Sequence, residues 1–146
     1  MTGFQVNPIG KISSSDKGAF IELEAKYVPA LQGLQGFSHL NILWWFSDYD
    51  HGEARNSLET LQPYKKAPAV MGLFATRSPV RPNPLALTTV HVLRIDYAKG
   101  LIQIDYIDAN DGTPVLDIKP YTPSLDRVET PAVPEWCSHW PKSLEE

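Results

Sequence analysis

"LTTVHVLRIDYAKGLIQIDYI", Leu87 to Ile107, is the stretch whose reading decides the fold. Its first half is rich in β-branched residues, which suit a pleated, half-buried surface. Its second half alternates, with Ile102, Ile104 and Tyr106 on one face and Gln103 and Asp105 on the other. A period of two marks a strand with one side in a core. The halves meet at "AKG", Ala98 to Gly100, which has room only for a turn. The whole reads as an antiparallel hairpin.

The same reasoning extends outward. "AFIELEAKY", Ala19 to Tyr27, sets Phe20 with its neighbour Ile21, then Leu23 and Ala25, between Glu22, Glu24 and Lys26, and predicts a further strand. "SHLNILWWFS", Ser38 to Ser47, is nearly continuously apolar, short and aromatic, which predicts a strand buried on both faces. With "QVNPIGKIS" from Gln5 and "TPVLDIKPY" from Thr113 there are six or seven strand candidates, separated by turns bearing proline and glycine. That pattern predicts a mainly β chain, a barrel or curled antiparallel sheet with little helix. The best helix candidate is "EARNSLETL", Glu53 to Leu61, with Arg55 to Tyr64 expected as a mobile surface excursion that carries one or two turns. From Val128 onward the prolines preclude regular structure, while Trp136 and Trp140 predict packing onto the body or onto a second subunit. The expected division is a β domain over 1–127 and a tail over 128–146.

A chain of 146 residues has the length of one domain, able to bury roughly two-thirds of its unfolded surface. The formal charge of -4 means that a polyanion must meet a local basic patch or a second subunit. One cysteine, Cys137, makes no internal disulfide, and no apolar run approaches the ~18 residues of a membrane span. A cytoplasmic protein is expected. No glycine-rich loop joins a strand to a helix, and "GLQG" at Gly33 lacks the spacing for a phosphate, so a doubly wound nucleotide domain is excluded. His39, His51, His91 and His139 lack the spacing of metal ligands, and no metal is expected.

Two segments carry candidate chemistry. In "GLFATRSPVRPNPLALT", Gly72 to Thr88, Pro79, Pro82 and Pro84 fix their own backbone and restrict the residue before each. Arg77, Arg81 and Asn83 therefore sit on a stiff ribbon, where holding a guanidinium fork costs little entropy. Either the arginines pair with Asp108, Asp111 or Asp117 to lock a turn, or they face a ligand. In "DANDGTPVLDIKPY", Asp108 to Tyr121, a tight turn precedes a strand that puts Asp117 and Lys119 on one face. Trp44, Trp45 and Phe46 read as core and subunit packing rather than as a base-stacking platform.

"GLFATRSPVRPNPLAL" and "DANDGTPVLDIKPYTPSLD" resemble the signature segments of the TsaA-like, or TrmO, family of tRNA methyltransferases, and "GLQGFSHLNILWWF" resembles the segment before them. The resemblance runs from Val6 to Asp126 and is weakest between Lys11 and Gly33; Ala86 stands where the family commonly has glycine. It implies a compact β-barrel unrelated to the Rossmann methyltransferases, a homodimer, S-adenosylmethionine (SAM) as cofactor, and N6-methylation of threonylcarbamoyladenosine at tRNA position 37. By position it implies that Ser47, Asp48, Arg77, Leu87, Asp105, Tyr106, Ile107 and Asp108 line the cofactor pocket. An acid such as Asp48 or Asp108 suits the sulfonium or ammonium, an arginine the carboxylate, and Leu87 and Ile107 the adenine. Asp117 or Asp111 is then the candidate proton acceptor, Lys119 or Arg81 the group that holds the base or phosphate, and Asn83 and Tyr121 further substrate contacts. Two other readings stay open: a SAM-dependent enzyme of this fold acting on a small molecule or another RNA, and a non-catalytic SAM- or nucleotide-binding module.

Overall fold

The structure is a computed structural model that describes residues 3–146; Met1 and Thr2, the start of the expected first domain, lie outside the described residues. The alternation of the central hairpin is realised in β6 (Leu85–Asp96) and β7 (Leu101–Ile104), turned by Gly100 at φ 66. There a Cβ would also run into Val28 at 2.6 Å, so the turn requires glycine on two counts. Val92 faces Ile104 but Ile95 faces Ile102, so a bulge in β6 reverses which side chains point inward. This puts Val90 in the core before the bulge and packs Ile95 and Tyr97 against it afterwards.

The other strands are β1 (Gly10–Ser15), β2 (Gly18–Leu23), β3 (His39–Trp45), β4 (Glu59–Leu61), β5 (Val70–Gly72) and β8 (Pro114–Pro120). Four of these, β1, β2, β3 and β8, join β6 and β7 in a closed antiparallel barrel of order β1-β2-β7-β6-β3-β8. Ile12, Ile21, Leu40, Ile42, Ile102, Ile104 and Val115 fill its interior, each at most 1% exposed. The closing seam between β1 and β8 has only two residue pairs, Gly10 with Val115 and Lys11 with Pro114. At Gly10 a Cβ would collide with the Glu22 carbonyl of β2, so glycine permits the close approach of β1 to its hairpin partner.

Several expectations are corrected. β3 is buried on one face only: Leu40, Ile42 and Trp44 point inward while Asn41, Leu43 and Trp45 are half-buried outside, because a closed barrel has a single interior. The strand expected over Ala19 to Tyr27 stops at Leu23, and Ala25–Leu31 forms a 3-10 helix around Pro29. Phe20 lies on the opposite face from Ile21 and Leu23. The strand expected from Gln5 begins at Gly10. The helix expected over Glu53 to Leu61 is a single turn, α1 (Gly52–Arg55), and Glu59–Leu61 is instead β4, paired with β5 in a two-stranded arm outside the barrel. Tyr106 lies beyond β7 and is 67% exposed.

The tail after α2 (Pro123–Asp126) packs as its tryptophans require. Trp136 stacks on Tyr64 at 5.6 Å between centroids and Trp140 meets the same ring edge-on at 5.0 Å, fastening the tail to the loop of the arm. Among the described residues no helix is long and apolar enough to cross a membrane.

Candidate functional site

The site is built where β3 and β6 end. Trp45 pairs with Leu85, the Phe46 amide donates to the Pro84 carbonyl at 2.8 Å, and beyond that point the two chains diverge. The gap becomes a cavity of about 670 Å³, a volume suited to a nucleoside-sized ligand. One wall is the 3-10 turn Ser47–Tyr49; the second is the proline ribbon with Arg77, Pro79 and Arg81; the third is the turn from Asp108 to Thr113. Trp44 forms part of the floor, its indole Nε1 donating to Thr88 Oγ1 at 3.0 Å.

Each wall is held by its own bonds. In the ribbon, Thr76 Oγ1 donates to the Leu73 carbonyl at 2.8 Å, and the Val80 amide donates to Ser78 Oγ at 3.1 Å. Arg81 Nη1 donates to the carbonyls of Thr76 at 3.1 Å and Ser78 at 2.8 Å, tying the ribbon to itself. Arg77 Nη1 reaches the Leu87 carbonyl at 3.3 Å. Among the described residues neither arginine forms an ion pair, so the reading in which they lock a turn against Asp108, Asp111 or Asp117 fails. Asn110 Nδ2 donates to Asp48 Oδ2 at 3.2 Å and fastens the third wall to the first. Asp111 Oδ1 accepts from the Ser14 amide at 2.9 Å, which anchors the third wall on the β1–β2 hairpin.

The structure thus gathers Ser47, Asp48, Arg77, Arg81, Leu87, Asp108 and Asp111 around one cavity. It leaves the other sequence-derived candidates outside its lining. Asp105 continues the β6–β7 ladder, its Oδ1 accepting from the amides of His91 and Tyr106 at 2.9 and 2.8 Å. Ile107, 6% exposed, belongs to the barrel core, so it does not flank a ring in the cavity. Tyr106 points to solvent. Asn83 accepts from Arg55, and Tyr121 lies edge-on to His39, which stacks on His91 at 4.9 Å. Asp117 and Lys119 do share a face, as a 2.9 Å ion pair; the hydrogen bond and charge of Asp117 raise the Lys119 ammonium above its ordinary 10.5. Asp117 is opposite Leu43 on β3 and lies outside the cavity lining.

Three features escaped the sequence. Trp44, Trp45 and Phe46 line the cavity. Ala109 and Asn110, inside a quoted motif, complete its third wall. Arg55, assigned to a surface excursion, makes contacts with both the first wall and the ribbon. The available signal for Arg55 was a single cation amid Asp48, Asp50 and Glu53 in "SDYDHGEAR".

A closed six-stranded barrel with a cavity of opposed acids and arginines at one rim defines a class of nucleoside-scale binding protein built without a doubly wound sheet. The chain belongs to the family described as the tRNA-methyltransferase O N-terminal domain, whose model matches residues 4–127. It is 37% identical over 123 residues to a probable S-adenosyl-L-methionine-binding protein of Pyrococcus horikoshii, covering 84% of this chain and 86% of that one. It is 36% identical to the tRNA (adenine(37)-N6)-methyltransferase of Escherichia coli, covering 88% of this chain and 62% of that one. Among solved structures, that of TrmO from Pseudomonas aeruginosa matches with a TM-score of 0.68 and 29% identity over 90% of this chain and 61% of that one. The chain therefore spans about three-fifths of the length of the Escherichia coli and Pseudomonas relatives.

Proposed function

We infer that the chain binds SAM in the rim cavity and transfers its methyl group to N6 of adenine 37 in tRNA, with threonylcarbamoyladenosine as the acceptor. The single observation that carries this reading is the cavity itself, where Asp48, Asp108 and Asp111 stand against Arg77 and Arg81 on walls made from the family's own motifs. The donor set fits SAM, since carboxylates suit a sulfonium and an ammonium, and a guanidinium suits the amino-acid carboxylate. When bound, SAM supplies a methyl carbon already activated by its sulfonium. The protein's share is alignment and exclusion of water. Leu85 and Leu87, 44% and 47% exposed at the cavity edge, offer apolar contact to a ring. Of the two carboxylates proposed to take the N6 proton, Asp111 lines the cavity and Asp117 does not, so Asp111 fills the role. Lys119, paired with Asp117 outside the lining, leaves Arg81 as the nearer cation for the modified base.

The unit that performs this is residues 1–127, with 128–146 strapped across the arm by Trp136 and Trp140. Work on tRNA sets it in the cytoplasm. It acts as a homodimer, for which the arm and the segment after it supply an apolar surface: Leu58, Leu61, Val70 and Phe74 are 67%, 79%, 49% and 82% exposed. The charge of -4 favours a second reading with the same donor and a smaller acceptor, because a polyanion is repelled by the mean field.

Calorimetry with SAM and S-adenosylhomocysteine tests the donor, with saturable binding expected and about tenfold weaker binding in Asp108→Asn. Absence of binding by the wild-type chain sinks the reading. Labelled methyl transfer to tRNA with and without threonylcarbamoyl at position 37 tests the acceptor. Equal labelling of both sinks the threonylcarbamoyl assignment, and labelling of metabolites alone promotes the second reading. Phe74→Asp is expected to convert the dimer to monomer by light scattering; an unchanged mass removes this surface from the interface.

A further inference from the structure

We propose that Arg55 is the positioning residue that sets the width of the rim cavity, by bolting the turn Ser47–Tyr49 to the proline ribbon from behind. Arg55 is outside the cavity lining, yet its guanidinium uses all three nitrogens on the two walls. Nη1 meets Asp50 Oδ1 at 2.9 Å, at the end of the first wall. Nε donates to the Pro82 carbonyl at 2.8 Å and Nη2 to Asn83 Oδ1 at 3.1 Å, both in the ribbon. The group also lies over the Trp45 ring at 6.0 Å, and Trp45 Nε1 donates to the same Asp50 at 3.3 Å. A planar fork whose edges address different partners fixes their spacing as well as their attraction, which a lysine's single ammonium does not.

Location gives these bonds their leverage. The β3–β6 ladder ends at Trp45 and Leu85, and after the Phe46 to Pro84 backbone bond no further main-chain bond among the described residues joins the first wall to the ribbon. Ser47 and Asp48 project from one diverging segment, and Arg77 and Arg81 stand on the other. Arg55 is the side-chain link between them beyond the end of the sheet. The one-turn helix α1 delivers it: His51 caps the turn by accepting from the Ala54 amide at 3.3 Å, and Ala54 is buried at 4% exposure. The proline ribbon is stiff within itself, so its placement relative to the opposite wall is the remaining freedom, and Arg55 removes it.

The inference rests on the reading that the cavity holds SAM, and two measurements separate the two. The first needs no ligand: amide hydrogen exchange in wild type and Arg55→Ala. Exchange at Phe46, whose amide donates to the Pro84 carbonyl across the two walls, is expected to quicken at least about tenfold, while the core amides of Ile42 and Ile102 keep their protection. Unchanged exchange at Phe46 overturns the inference whether or not SAM binds. The second is SAM binding by calorimetry. Arg55→Ala is expected to weaken it about tenfold, the scale of one charged hydrogen bond. Millimolar guanidinium is expected to restore part of the loss in Arg55→Ala and to change nothing in wild type, and Arg55→Lys is expected to remain weak because it abandons Pro82 and Asn83. Full binding by Arg55→Ala, or full recovery in Arg55→Lys, also overturns the inference. Loss of core protection in Arg55→Ala together with that of Phe46 overturns it in favour of a general stabilising role.

Discussion

Replacing Thr88 with valine tests whether the cavity floor is held by one polar bond. Thr88 lies diagonally across the β3–β6 ladder from Trp44, whose indole Nε1 donates to the Thr88 hydroxyl at 3.0 Å while the residue is only 5% exposed. Valine keeps the shape of threonine and removes the acceptor. The indole N–H is then left without a protein partner in a nearly dry position, which costs about 1–3 kcal/mol. Taking the middle of that range, ~2 kcal/mol, and about 2–4 °C per kcal/mol for a chain approaching this length, the melting midpoint falls roughly 4–8 °C. The control is Trp44→Phe, which deletes the donor and part of the ring and is itself destabilising by about 2 kcal/mol. In that background Thr88→Val has no polar bond left to break, so its cost shrinks to below about 0.5 kcal/mol and the coupling between the sites is about 1–2 kcal/mol. Equilibrium urea unfolding, followed by the fluorescence of Trp45, Trp136 and Trp140, reads all four corners of the cycle. Equal cost of Thr88→Val in both backgrounds refutes the reasoning: the hydroxyl then stabilises the barrel by some route other than Trp44. Because both residues line the cavity, SAM affinity measured on the same proteins is expected to fall with the floor.

Two further outcomes are expected. Trp136→Ala removes the ring stacked on Tyr64 and frees the tail, so limited proteolysis is expected to cut beyond Val128 at least about tenfold faster while the barrel's urea midpoint moves little; an unchanged cleavage rate shows that the stack does not hold the tail. The Lys119 ammonium has a raised pKa because of Asp117, so the pair favours the folded state fully below 10.5 and loses that contribution as pH rises through the folded value. The stability difference between wild type and Lys119→Met is therefore expected to stay level through neutral pH and to shrink only in the alkaline range. A difference that titrates near pH 7 contradicts the assignment.

The sequence by itself determined the central hairpin and the stiffness of the ribbon. Ile102 and Ile104 alternate with polar neighbours, and that pattern is local, so the hairpin around Gly100 was legible. Prolines restrict their own torsions and those of the residue before them, so Gly72 to Thr88 was legible as a rigid carrier of arginines. The motifs also announced the family. What the chain could not declare locally was which of those polar groups would meet. Tertiary structure decided that Asp108 and Asp111 reach the cavity while Asp117, opposite Leu43 on β3, stays out of its lining and pairs with Lys119. It turned the expected helix at Glu53 to Leu61 into one turn and a strand, because β5 supplies a partner ladder that no local propensity contains. It also gave Arg55 its three partners, 5, 27 and 28 residues away in sequence. The physical reason is common to all three: side-chain direction follows from register and bulges, and these are fixed only when the barrel closes and distant strands choose each other.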